Sequence, residues 1–192
     1  MEEKLSFNKE NLGNDWERVV IGTSEPLPPK EYARYNFANK NIIGKRVLEI
    51  GCGCGCGLKL LNDTIQYTGI DSDKRIIDFA TKHYGGKGQF IKTTISDFKF
   101  KKYDTIIAYE ILEHIENGIE FAQELKKVCD CLLITVPYNE PKGFWGKYHL
   151  LHNLTEKDFP GFEVFYISYD GTISFYPIKE RDDNLLLLRW RR

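Results

Sequence analysis

No stretch of this chain is apolar for long enough to cross a bilayer, and the longest late run, Leu185 to Leu188, falls far short. Nothing behind Met1-Glu2-Glu3-Lys4 has the apolar length of a secretory leader. The expectation is therefore a soluble, cytoplasmic protein with no membrane partner. A surplus of one charge sign is also missing: 27 Lys and Arg stand against 28 Asp and Glu. That balance removes any global electrostatic reason to bind a nucleic acid, and the basic end Arg189-Trp190-Arg191-Arg192 reads as a solvated strand terminus. Paired cysteine spacing is absent as well. Of the five cysteines, Cys52, Cys54 and Cys56 alternate in one loop and leave only Cys129 and Cys131, which is neither a disulfide framework nor a pair of C-x2-4-C zinc arms. Reduced thiols are expected. There are no internal repeats, and 192 residues at 42% hydrophobic suit one core, so residues 1–192 are read as a single domain.

What is present is an alternation of elements. The proline-rich stretch 22–29 reads as an extended connector ahead of a helix over about 30–39, closing a lead-in of residues 1–40. Short apolar runs predict buried strands at 46–50, 66–70, 89–93, 104–109 and 131–136. Helical spacing predicts helices at 57–62, 73–84 and 117–128. Strand alternating with helix calls for a parallel sheet covered on both faces. Beyond it, 162–169, 172–176 and 185–190 read as successive strands around the Asp170-Gly171 turn, with antiparallel pairing at one side of the sheet.

The first strand runs into VLEIGCGCGCG, residues 47–57. The dinucleotide fingerprint G-x-G-x-x-G fails in every register, because its last position falls on Cys56, Leu58 or Leu60, and no Lys-Ser or Lys-Thr follows to make a phosphate loop. Glu49 distinguishes this loop. A carboxylate at a strand tip repels a pyrophosphate and attracts an ammonium. A ligand with an amino-acid tail supplies that ammonium, together with a carboxylate for backbone N–H groups and for the N-terminus of the following helix. Gly51, Gly53 and Gly55 let the main chain pass close to such a ligand, with Cys52 between them. At the end of the second strand, Asp71, with Ser72 beside it, can accept from both hydroxyls of a ribose. Acid, glycines and ribose acid together describe S-adenosylmethionine.

Through VLEIGCGCG (47–55), YTGID (67–71) and YDTIIAYEILEHI (103–115), the chain resembles the class I S-adenosylmethionine-dependent methyltransferases, and is similar to the type 11/12 and ubiquinone-pathway members. The resemblance implies a Rossmann-like three-layer α/β sandwich, with a seven-stranded, mostly parallel sheet and one antiparallel late strand. It implies that Arg34 covers the cofactor's carboxylate, although a solvated helix arginine is the equal alternative. It implies that Tyr109 lines the cofactor near the methyl group. The usual adenine-contacting acid has no direct match: its position falls on Thr94, so either Thr94 and Ile95 meet the adenine or Asp97 does after a shift. Asp97 capping a turn is the bland alternative.

Methyl transfer is an in-line displacement from an activated donor, so the protein supplies mainly alignment and a base. The box Glu110-Ile111-Leu112-Glu113-His114 offers two carboxylates and an imidazole, placed on one face if the segment is helical. In ubiquinone-pathway O-methyltransferases and small-RNA 2'-O-methyltransferases such a box is associated with a metal. Here Glu110, Glu113 and His114 are the residues that would hold a divalent ion, and packing at the strand–helix junction is the preferred reading. Glu110, His114 and His149 are the candidates for catalysis. Residues 137–160 form the acceptor-side loop, where Phe144, Trp145, Tyr148, His149 and His152 are placed to grip a ring or sugar face. The expected reaction is methyl transfer to a small-molecule or sugar-containing acceptor, at oxygen. A non-catalytic cofactor-binding protein and an RNA 2'-O-methyltransferase are the alternatives.

Overall fold

A computed structural model describes residues 27–144, 148–178 and 184–192. Residues 22–26 of the expected connector, and most of the lead-in, lie outside them. Helix α1 (Pro29–Asn41) starts on a proline, whose fixed φ suits the first helical position. Strands β1 (Arg46–Ile50), β2 (Gln66–Asp71), β3 (Gly88–Lys92), β4 (Thr105–Tyr109) and β5 (Cys131–Pro137) run parallel in the order β3-β2-β1-β4-β5. Helix α2 (Lys74–Tyr84) is capped by the Asp73 side chain, which accepts from Arg75 N–H, and buries Ile76, Ile77, Ala80 and Tyr84 on one face. Helix α3 (Gly118–Leu125) stops earlier than its periodicity predicts. Lys127 and Val128 N–H reach back only three residues, to Glu124 and Leu125, and the tightened turn ends the helix.

Side chains of the central strands alternate between two cores. Leu48, Ile50, Ile106, Ala108, Leu132 and Ile134 pack with Leu125 of α3 on one face, whereas Val47, Ile107 and Leu133 pack with Ala38 of α1 and Tyr84 of α2 on the other. Every residue of β4 and β5 is buried, which is why their sequences read as unbroken apolar runs. Edge strand β3 is only half covered.

Among the described residues the sheet holds eight strands rather than the expected seven, in the order β3-β2-β1-β4-β5-β8-β6-β7. β8 (Leu185–Arg191) lies antiparallel between β5 and β6 (Glu163–Ile167). The extra strand is β7 (Ile173–Ser174), so the late region has two reversed strands instead of one. Its cause is the Asp170-Gly171 turn: Asp170 accepts from Thr172 N–H, and Gly171 takes a φ of 82°, closing a hairpin onto β6. No helix among the described residues is long and apolar enough to cross a membrane.

Candidate functional site

The glycine bend hangs from the end of β2. Gly51 and Cys52 N–H both donate to Ile70 O, at 2.9 and 3.0 Å, and Gly55 N–H donates to Cys52 O. Gly51, Gly53 and Gly55 all have positive φ, at 69°, 53° and 74°. Their surroundings differ. A Cβ on Gly55 would lie 2.7 Å from the Phe90 ring and one on Gly51 3.0 Å from Ile111, but a Cβ on Gly53 would meet nothing within 4 Å. The main chain is therefore uncovered at Gly53, where a ligand can approach it closely. Asp71 ties the bend to β2, accepting from Gly53 N–H at 3.2 Å and from Asp73 N–H at 2.9 Å. A carboxylate offers about four lone-pair sites, so two remain. Ser72 is exposed beside it. All five cysteines are free and buried, and burial lifts the Cys52 thiol above its ordinary range. The expected helix over 57–62 is instead a short 3-10 turn, Cys56–Leu60, too brief for a useful dipole.

Glu49 is 1% exposed, and both its oxygens are occupied. Tyr35 of α1 donates to one and Tyr67 of β2 to the other. The register explains the second contact. Glu49 pairs with Gly69 and Val47 with Tyr67, so Tyr67 shares the face of Glu49 and leans over a residue with no side chain. Tyr35 and Tyr67 were not anticipated; the Tyr-x-Gly sequence opposite Glu49 was the available signal for Tyr67, and nothing local marked Tyr35. Burial raises the Glu49 carboxyl from 4.5 to about 7, against the opposing pull of the two phenols.

The folded protein thus holds this proton more tightly than the unfolded chain. The stability it contributes is complete below about pH 4.5, declines as pH climbs toward 7 and is flat beyond. Denaturant melts at pH 5 and pH 8 should show wild type losing about 3 kcal/mol more than Glu49→Gln. Equal losses in the two proteins would assign the titration to another group.

Arg34 is buried beside this clamp, stacked near Tyr35 and Tyr109, and 3.7 Å from Glu31; its Nε has no hydrogen-bond partner. Burial works against its charge, but Tyr35, Glu110, Glu31 and Glu49 together hold it above the ordinary arginine value. The Tyr109 ring is 4% exposed, and its hydroxyl donates to Arg34 O. Glu110 has a φ of 50°, a strained value for a residue with a Cβ, and its Oε1 is buried without a partner. Beyond β3, Asp97 accepts from the Thr94 hydroxyl at 2.7 Å and closes a turn, while Ile95 packs against the core.

The segment after β4 differs from the expected helix. Leu112–His114 is a 3-10 turn, and it does not place Glu110 with Glu113 and His114. Instead, among the described residues, Glu113 and His114 converge with His149. Glu113 is 1% exposed, and burial followed by the Glu110 charge pushes its carboxyl well up. His149 Nδ1 lies 2.6 Å from Glu140 Oε2, a buried carboxylate that the sequence reading passed over because nothing local links it to His149. His152 is half-buried, Phe144 is exposed, and Tyr148 turns its carbonyl to His114; Trp145 lies outside the described residues. A cavity of about 560 Å3 sits elsewhere, between α1 and the 170–173 turn, and includes none of these carboxylates or imidazoles. Convergent chemistry, rather than volume, therefore locates the candidate site.

A methyltransferase domain family matches residues 48–130, the segment from β1 to the end of α3's following turn. A ubiquinone biosynthesis O-methyltransferase from Actinobacillus pleuropneumoniae is 33% identical over 96 residues, covering 44% of this chain and 41% of that protein. Its counterpart from Rickettsia canadensis is 30% identical over 129 residues, covering 64% and 54%. The chain thus spans about half the length of these relatives. Among solved structures, the plantazolicin methyltransferase BpumL, in complex with a triazolic desmethylPZN analog and SAH, shares the fold with a TM-score of 0.68 at 18% identity, over 95% of this chain and 93% of that one.

Proposed function

Since the chain belongs to the class I S-adenosylmethionine-dependent methyltransferases, we propose that it moves the sulfonium methyl of that donor to an oxygen of a small-molecule acceptor. The observation that carries this reading is the uncovered Gly53 backbone tied to Asp71, with two lone-pair sites of the carboxylate left for ribose hydroxyls. Cys52 and Ser72 flank that contact, and Thr94 and Ile95 edge the adenine. Arg34, with its unpartnered Nε, faces the methionine carboxylate, and Glu49 supplies the negative field for the ammonium. Tyr109 backs the site through Arg34. The described residues act as one domain in which 137–160 is the acceptor-side loop, and His114, His149 and Glu110 serve the acceptor. Oxygen is favoured because the relatives are O-methyltransferases, and free buried thiols favour a reducing compartment, the cytoplasm.

Calorimetric titration with S-adenosylmethionine, S-adenosylhomocysteine, NADH and FAD tests the cofactor. Saturable binding of the first two alone is expected; a dinucleotide seated in their place overturns the reading. Mass spectrometry of phenolic and catechol acceptors incubated with the donor then reads methylation directly.

A further inference from the structure

On the methyl-donor reading, we propose that Tyr35 is a positioning residue for the cofactor: its hydroxyl latches α1 to the buried Glu49 of β1, and the latch holds the Arg34 guanidinium ready for the methionine carboxylate. Arg34 is held by rings more than by acids. Its Cζ lies 5.6 Å from the Tyr35 ring centre and 5.7 Å from that of Tyr109, whereas Glu31 stands off at 3.7 Å, beyond hydrogen-bond distance. Aromatic faces fix a guanidinium without consuming its N–H groups, so the planar fork stays available to an incoming anion. Its buried Nε donates to nothing. Such a donor is costly to leave unpaired, and a ligand carboxylate is the acceptor that matches it.

The aromatic frame is itself fastened at both rings. Tyr35 donates to Glu49, Tyr109 donates to Arg34 O at 3.0 Å, and the two rings meet edge-on at 5.5 Å. Arg34 and Tyr35 are neighbours in α1, so moving the phenol moves the guanidinium. Glu49 is buried with both oxygens taken, and it cannot also bond a ligand directly. Beyond its field, what it gives the cofactor is the anchor for Tyr35. Tyr67 supplies the contrast: it donates to the other oxygen of the same carboxylate, but it belongs to β2 and packs on Phe90, with ring centres 5.6 Å apart. The two hydroxyls serve Glu49 alike, and the one on α1 carries Arg34.

Calorimetry on the full chain can compare S-adenosylmethionine with its decarboxylated form, which keeps the adenosine, sulfonium and ammonium and lacks the carboxylate. Tyr35→Phe is expected to weaken the first by about 10-fold, the scale of one charge-assisted hydrogen bond, and the second by less than about 2-fold. Tyr67→Phe takes as much from Glu49 and should leave the ratio of the two affinities as in wild type. Arg34→Met should lose the same preference for the carboxylate, and adding Tyr35→Phe to it should cost little more. Tyr109→Phe, which releases the Arg34 carbonyl, should shift the ratio in the same direction and decides the matter if Tyr35→Phe does not fold. Equal losses for both ligands in Tyr35→Phe would make the hydroxyl a general support of the fold. A ratio shifted as far by Tyr67→Phe would assign the effect to the Glu49 charge. Either result, wild-type affinity in Tyr35→Phe, or additive losses with Arg34→Met overturns the proposal. A wild-type chain that takes up neither ligand defeats the methyl-donor reading instead, before any variant is compared.

Discussion

Asp71→Ala is expected to weaken S-adenosylmethionine binding by about 100-fold or more, measured by calorimetry on folded protein. Each hydrogen bond to a charged group contributes about 1.5–3 kcal/mol, and two ribose hydroxyls at the low end give about 3 kcal/mol, two powers of ten in affinity. The backbone adds to the loss. Asp71 also accepts from Gly53 and Asp73 N–H, so alanine releases the bend at Gly53, which unlike Gly51 and Gly55 has open space beside it. Asp71→Asn keeps one acceptor oxygen and should fall between the two. Wild-type affinity in Asp71→Ala would mean that the ribose sits elsewhere.

Gly57→Ala should lower stability by about 4 kcal/mol, the sum of overpacking and of a carboxylate left short of a donor. An added Cβ would stand 2.0 Å from Tyr35 Cζ and 2.1 Å from its Cε1. The ring has no room to yield: it is 5% exposed and meets Tyr109 edge-on at 5.5 Å. Swinging it aside breaks its hydrogen bond to Glu49, the buried acid at the centre of the clamp. For a chain of this size the melting temperature should drop by roughly 10 °C. In a Tyr35→Ala background the same glycine change should have little further effect, because the clash is gone. Additive losses in the double variant would sink the argument.

Both predictions turn on contacts that could be read from the sequence only in part. The strands of the parallel half were legible because β4 and β5 are buried throughout and β1 ends in glycines, signals held within a few residues. Glu49 and Asp71 were legible because a strand tip and its following bend are neighbours along the chain. The helix expected after the bend was not, because the stretch after Gly55 reads as helical by spacing but forms only a 3-10 turn beside the Tyr35 ring. Glu110 was grouped with Glu113 and His114 on the assumption of a helix; a positive φ and a 3-10 turn separate them.

The amino-acid order alone determined the alternating α/β pattern, the glycine bend, and the acids at the tips of β1 and β2, since each depends on local spacing and on the period of burial. Only the tertiary structure decided who meets those acids. Tyr35 reaches Glu49 across 14 positions, Tyr67 across 18, and His149 reaches Glu140 across 9 while joining Glu113 and His114 from another strand's loop. Such meetings follow from sheet register and from the space left by missing side chains at Gly57 and Gly69, quantities that exist only once the chain has folded back on itself.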